Sequence, residues 1–228
     1  MIVNMQCSIT LKNLDLDDKE ARRKIEDALP DFRFNVFAPP VVPLRGFPRM
    51  IGSSEYGHAS LRLGDTFAHL IMQYDENYQD DWNKCFDYAH KRIGELREAL
   101  QSVEATFQFG GIVIQYVMDD FPEPVTTLSE SVSKVSVGER KLTHLQIKFS
   151  FPYRENYYIN VEMEPVQNEA TSANALGITI DVNNRLAKQR SDAPRVVDWE
   201  DLVKIEEILS GIKSSTLHQL VEKGEFAI

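Results

Sequence analysis

A stripe of apolar residues runs through Tyr78, Trp82, Phe86, Ala89, Ile93, Leu96, Leu100 and Val103 in steps of three and four, the spacing that gathers them on one side of an α-helix. Between them stand Asp80, Asp81, Asp87, Lys91, Arg92, Glu95, Arg97 and Glu98, which give the opposite side to water. Such a helix has to lay its stripe on a core. The polar run Asp75, Glu76, Asn77 marks its start, where negative charge meets the positive end of the helix dipole. A second long helix is expected from Asp198, with Glu200 and Asp201 in its first turn. It buries Trp199, Leu202, Ile205, Leu209 and Ile212 and stops at Gly224.

Each of these helices follows a block of strand-like sequence, rich in alternation and in β-branched or aromatic residues. In the first half, Ile2 to Leu11 reads as a strand, Asp17 to Leu29 as a helix ended by Pro30, Phe32 to Phe37 as a strand, and Ala59 to Tyr74 as a hairpin turning at Gly64 and Asp65. In the second half, Thr106 to Met118 reads as a strand, Val125 to Val135 as a weaker helix, and Leu142 to Phe151, Asn156 to Glu164 and Leu176 to Val182 as strands. The predicted class is α+β: antiparallel sheet with two long amphipathic helices packed on one face. Both halves spell strand, helix, strands, long helix, but their residues differ, so a pseudo-duplicated unit and a chance likeness of order both stand as readings.

The chain of 228 residues fits one compact unit, 1–228, or two intimately packed halves, 1–104 and 105–228. The passage from Val103 to Phe107 carries no Ser, Gly or Pro linker, which favours the single unit. No stretch approaches the roughly 18 apolar residues that cross a bilayer, and Met1 to Cys7 lacks the pattern of a signal peptide, so a cytoplasmic location is expected. Two cysteines, Cys7 and Cys85, make neither a disulfide framework nor a metal motif and read as buried small hydrophobes.

The net charge of −10 is concentrated. From Glu76 to Glu104 there are seven acids against four bases, from Ala105 to Gly138 four against one, and from Val196 to Ile228 seven against three. A broad acidic surface disfavours nucleic acid, whose backbone needs clustered Lys and Arg, and suits either plain solvation or a basic protein partner. Two short basic clusters stand apart. Arg185, Lys188, Arg190 and Arg195 lie in a polar loop with Asn183, Asn184, Gln189 and Ser191, placed to grip an anion or the acidic surface of a partner, or simply to be solvated. Arg45, Phe47 and Arg49 sit in a segment punctuated by Pro39, Pro40, Pro43 and Pro48, an extended arm that either packs across the body or is offered to a partner.

The residues that carry chemistry are scattered. His58, His69, His90, His144 and His218 form no two-histidine helical metal motif. In a hairpin turning at Gly64 and Asp65, His69 falls opposite Ser60, so His58 and His69 reach a shared metal only diagonally. Asp119 and Asp120, with Glu123 behind them, supply hard oxygen ligands for a divalent cation, yet adjacent strand residues point to opposite faces and Phe121 and Pro122 read as a turn. Gly110 and Gly111 lack the setting of a phosphate loop and read as a β-bulge or as close packing under a helix. Ser53 and Ser54 have no nucleophile elbow around them. His218, between Leu217 and Leu220, reads as a boundary residue satisfied by a carbonyl or water. No cofactor and no metal are expected.

The succession Trp82, Phe86, Ile93, Leu96, then the strand Phe107 to Met118, the closing run Ile178 to Val182, Leu217 with His218, and Phe226 near the end resembles a sporadically distributed family of uncharacterised prokaryotic proteins. The resemblance is one of order and spacing over most of the chain, least in Met1 to Pro48. It implies a bacterial or phage origin and an accessory role of the antitoxin, immunity or defence-associated type, and it carries over no functional residue.

Two expectations of different class follow. The first is a non-catalytic protein-binding module. The second is a small-molecule-binding protein of helix-grip type, with Tyr74, Tyr116, Tyr157 and Tyr158 as wall residues and a cavity above about 300 Å³. A metal-dependent enzyme built on Asp119 and Asp120 is the remote third.

Overall fold

The computed structural model describes residues 1–38, 46–54, 58–154, 156–167, 173–185 and 197–228. Among them nine strands form one antiparallel sheet in an α+β fold. In chain order the strands are β1 (Ile2–Lys12), β2 (Phe32–Val36), β3 (Met50–Ser54), β4 (Ala59–Gly64), β5 (Phe67–Gln73), β6 (Thr106–Met118), β7 (Ile147–Tyr153), β8 (Tyr157–Gln167) and β9 (Asn174–Asn183). The helices are α1 (Lys19–Ala28), α2 (Trp82–Ser102), the single turn α3 (Pro124–Thr127) running into a π-turn (Leu128–Ser133), α4 (Trp199–Gly211) and α5 (Ser214–Lys223). No helix among the described residues is long and apolar enough to cross a membrane.

The strand order is β2-β3-β4-β5-β1-β6-β9-β8-β7. The first strands of the two halves, β1 and β6, pair at the centre, and each is flanked on its far side by the last strand of its own half, β5 or β9. Register sorts the side chains between two faces. Leu61, Leu70, Cys7, Ile112, Val182 and Ile159 line up across the sheet, and none is more than 1% exposed. One residue further along the strands, the opposite face carries Arg62, His69, Ser8, Gly111, Asn183 and Tyr158 in a second row. The first face is the core; the second is polar and partly exposed, the division that alternation at period two imposes on an antiparallel sheet.

Helix α2 touches β1, α4 touches β6 and β9, and the two helices touch each other. The stripe of α2 buries Cys85, Ala89, Ile93, Leu96, Ala99 and Leu100. Its start lies at Trp82, later than the polar run at Asp75 suggests. Asp75 closes a turn of its own, its carboxylate accepting from the Asn77 amide at 2.9 Å, and Asp81 caps the helix by accepting from Lys84 N at 3.1 Å. Asp198 and Asp201 form a reciprocal capping box at the start of α4.

The second long helix, expected as one run to Gly224, is two. Ile212 leaves helical geometry, with φ −77° and ψ 116°, to bury its side chain completely, and α5 restarts at Ser214. Three further differences are local. Strand β3 is additional, the segment expected as a helix over 125–135 is one α-turn and one π-turn, and the strand expected from Leu142 starts at Ile147. The β4–β5 hairpin pairs Gly64 with Phe67 and turns at Asp65 and Thr66, so His69 opposes Arg62 and not Ser60.

Candidate functional site

On the polar face, where β5, β1, β6 and β9 meet, lies a cavity of about 520 Å³. Its floor includes Ser8, Gly110 and Gly111, and its rim includes Arg62, His69 and Arg185. The floor is open because β6 carries no side chain there. A Cβ on Gly111 would lie 2.7 Å from the Asn183 Cβ, and one on Gly110 would lie 3.2 Å from the Ser8 carbonyl oxygen. Gly111 therefore reflects close approach between neighbouring strands, whereas Gly110 faces the core under the Phe107 ring, at 3.1 Å from where its Cβ would be, next to a register shift between β1 and β6. Beside them Asn184 and Gly110 exchange bonds: the Gly110 amide donates to Asn184 Oδ1 at 2.9 Å, and the Asn184 amide donates to the Gly110 carbonyl at 3.1 Å.

The rim combines charge with fixed polar groups. Arg62 and His69 are cross-strand partners on β4 and β5, and burial followed by the neighbouring Arg62 charge holds the His69 imidazole below its ordinary value. Asp181 accepts from Asn160 Nδ2 at 2.8 Å and from Asn183 Nδ2 at 3.0 Å. Asn183 Oδ1 in turn accepts the Arg185 amide at 3.3 Å, which ties the start of the following loop to the sheet. Arg62 and Arg185 are both exposed. Chemically the cavity offers the guanidinium groups of Arg62 and Arg185, the His69 ring, the Asp181 carboxylate held by two asparagines, backbone at the glycines, and the apolar walls Phe67, Phe109 and Val113. That mixture suits an anionic group carried on a partly apolar segment.

Of the basic residues singled out in the sequence, Arg185 reaches this rim, and Phe47 is half-buried between Gly46 and Pro48, which line the same cavity. Lys188, Arg190, Arg195 and Arg45 lie outside the described residues. Arg49 needs a correction: it is 4% exposed, and its guanidinium binds Asp17, both Asp65 oxygens at 3.3 Å and the Phe37 carbonyl at 3.2 Å. It joins the segment after β1 to the β4–β5 turn. Arg62 carries no signal in the sequence, and His69 stands there beside His58 and not beside Arg62, because the place of both next to Gly111 depends on strand register.

A second cavity, of about 290 Å³, is bounded by β1, β6, α2 and α4, with Met5, Ile93, Ile114 and Leu209 among its walls. Glu206 lies on it, bonded through Oε2 to His90 Nδ1 at 2.8 Å. The tyrosines expected around a ligand have other roles. Tyr74 donates to the Cys85 carbonyl at 2.9 Å and Tyr157 to Asp201 at 2.8 Å, Tyr116 packs on Trp82, and Tyr158 faces the polar side.

Asp119 and Asp120 lie in the turn after β6, where Asp120 meets His218 Nε2 at 2.9 Å in a hollow of about 180 Å³. Ser214 stands on the other side of that ring, with Oγ at 3.4 Å and its carbonyl oxygen at 2.9 Å from Nδ1. The resemblance to a hydrolytic triad ends there. The Asp120 carboxylate and the Ser214 carbonyl both favour the protonated ring, which raises the His218 pKa, and the short Nδ1 contact goes to the Ser214 carbonyl and not to its hydroxyl. His58 lies near Asp75 and among the rings of Tyr78 and Tyr88, away from His69. Burial, with a smaller contribution from Asp81, pushes the Cys85 thiol up to about 12, and burial raises Cys7 as well, so neither is a reactive thiolate. Among the described residues no group of three or more His, Cys, Asp or Glu is gathered to hold a metal ion.

No protein-family model matches the chain, and no curated protein is similar to it in sequence.

Proposed function

We propose that this chain is a non-catalytic protein-binding module that takes an acidic, partly apolar segment of another protein on the polar face of its sheet. One observation carries the reading: a cavity of about 520 Å³ with Arg62, His69 and Arg185 on its rim, in a molecule whose net charge is −10. Two arginines at one concave place, in a molecule of net negative charge, give an acidic partner a favourable docking position. Lys188, Arg190 and Arg195 follow Arg185 in the sequence. The setting in this proposal is an accessory prokaryotic or phage system of the antitoxin, immunity or defence-associated kind, in the cytoplasm, consistent with the resemblance in residue order. The mirrored strand order about β1 and β6 supports the two halves as a duplicated unit.

The test is charge reversal at the rim. An oligoglutamate peptide with interspersed leucines should bind the wild-type chain in low salt, and both added salt and the double substitution Arg62→Glu, Arg185→Glu should weaken it. Equal binding by wild type and double variant, measured by fluorescence anisotropy, overturns the proposal.

A second reading has its own support. The cavity between helices and sheet suits a small molecule, as in helix-grip proteins, and its walls are largely apolar.

A further inference from the structure

Glu206 breaks the apolar character of the cavity under α2 and α4. The mouth lies toward His90, whose side chain is 73% exposed, whereas the Glu206 side chain is 13% exposed. Its Oε2 is bonded to His90, but its Oε1 is buried without any hydrogen-bond partner. A buried carboxyl oxygen that has lost water and gained no donor is costly, and native structures retain such groups where something else completes them. Burial accordingly raises the Glu206 pKa against the opposing effect of His90. The other ionisable groups near it or on the same cavity are Cys7 on β1, Asp87 and Arg97 on α2, and Glu207 on its own helix. None of them supplies the missing donor.

From this geometry we infer that the cavity binds a small amine: an apolar body among Met5, Ile93, Ile114 and Leu209, with its ammonium donating to Glu206. The inference rests on the second reading above, that the cavity holds a small molecule, and adds the chemistry of the head group. The last torsion of a glutamate is soft, so the carboxylate turns Oε1 toward a ligand at little cost. A charge-assisted bond from an ammonium in a site shielded from water is stronger than one from a neutral hydroxyl. A carboxylate head group would meet Glu206 with like charge.

Three probes with one tail separate these points: hexylamine, hexanol and hexanoate, titrated into the wild-type chain while the methyl resonances of Ile93 and Ile114 are followed by NMR. Hexylamine is expected to bind about tenfold or more tightly than hexanol, and hexanoate more weakly than either. Glu206→Gln should bring hexylamine to the level of hexanol and leave hexanol within about twofold, with circular dichroism confirming that the variant is folded. Equal binding of all three, or preference for hexanoate, overturns the amine inference while leaving the cavity reading standing. Absence of any methyl perturbation with all three overturns both.

Discussion

Gly111 and Asn183 face each other across the β6–β9 pair so closely that a methyl group on Gly111 would lie 2.7 Å from the Asn183 Cβ. Asn183 is not free to retreat, because its amide donates to Asp181 at 3.0 Å and its oxygen accepts the Arg185 amide at 3.3 Å. The missing side chain therefore keeps the cavity floor clear. Gly111→Ala should lower stability by about 1–3 kcal/mol in urea unfolding and weaken binding of an acidic peptide at the same time. An alanine variant as stable and as competent as wild type would show that the floor has no such role.

Arg49 and Arg185 should behave oppositely. Arg49→Met removes a nearly buried guanidinium bound to Asp17, Asp65 and the Phe37 carbonyl, yet strands no buried charge, since Asp17 and Asp65 are 67% and 53% exposed. The expected cost is about 1–3 kcal/mol of stability with acidic-peptide binding retained. Arg185→Met should leave the urea midpoint within error and weaken the peptide. Parallel urea and anisotropy measurements on the two variants decide it.

Arg92 is a second buried guanidinium, bonded to Asp31 and Glu95 at 2.8 Å each and lying over the rings of Phe32 and Tyr88. Lysine cannot reproduce both the fork and the stacking, so Arg92→Lys should cost about 1–2 kcal/mol despite keeping the charge. The hydrogen bond from Arg92, then its charge, holds the Asp31 carboxyl below the usual carboxylate range. A depressed acid stabilises the fold above its ordinary pKa and ceases to as pH falls through the lowered one. Arg92→Met should move the Asp31 titration up toward its ordinary value, with Lys91 at 3.6 Å keeping part of the depression, read from side-chain carboxyl NMR shifts.

His218 gives the reverse sign. Its hydrogen bond to Asp120, followed by that to the Ser214 carbonyl, raises its pKa above 6.5. The contribution to stability is fully present below the unfolded value and fades as pH rises through the raised one. Asp120→Asn should shift the His218 titration downward and remove that part of the pH dependence. A titration unmoved by the substitution would separate the two residues in solution.

Much of the framework is legible in the sequence because it is written in local periodicity. Strand β6 is expected over Thr106 to Met118, where it lies, since the stretch is dense in β-branched and aromatic residues. Strand β3 escapes because Met50–Ser54 is short, holds a glycine and two serines, and gains its strand character from pairing with β2 and β4. The break at Ile212 follows no proline and is set by the depth of that side chain in the core. Arg185 stood out as the head of a basic loop. His69 and Gly111 are visible as single residues, but their meeting with Arg62 is not, because a hairpin centre displaced by one residue sends His69 opposite Ser60, two residues from Arg62. Arg49 resembles a surface charge until Asp17 and Asp65 are brought to it by the fold.

The most direct test of the central claim is an amide and side-chain NMR titration of the wild-type chain with the acidic, leucine-containing peptide. Perturbations concentrated at Ser8, Arg62, His69, Gly110, Gly111 and Asn183, abolished by salt, are the predicted result. Perturbations that avoid these residues, or that persist unchanged in Arg62→Glu, Arg185→Glu, would contradict the account.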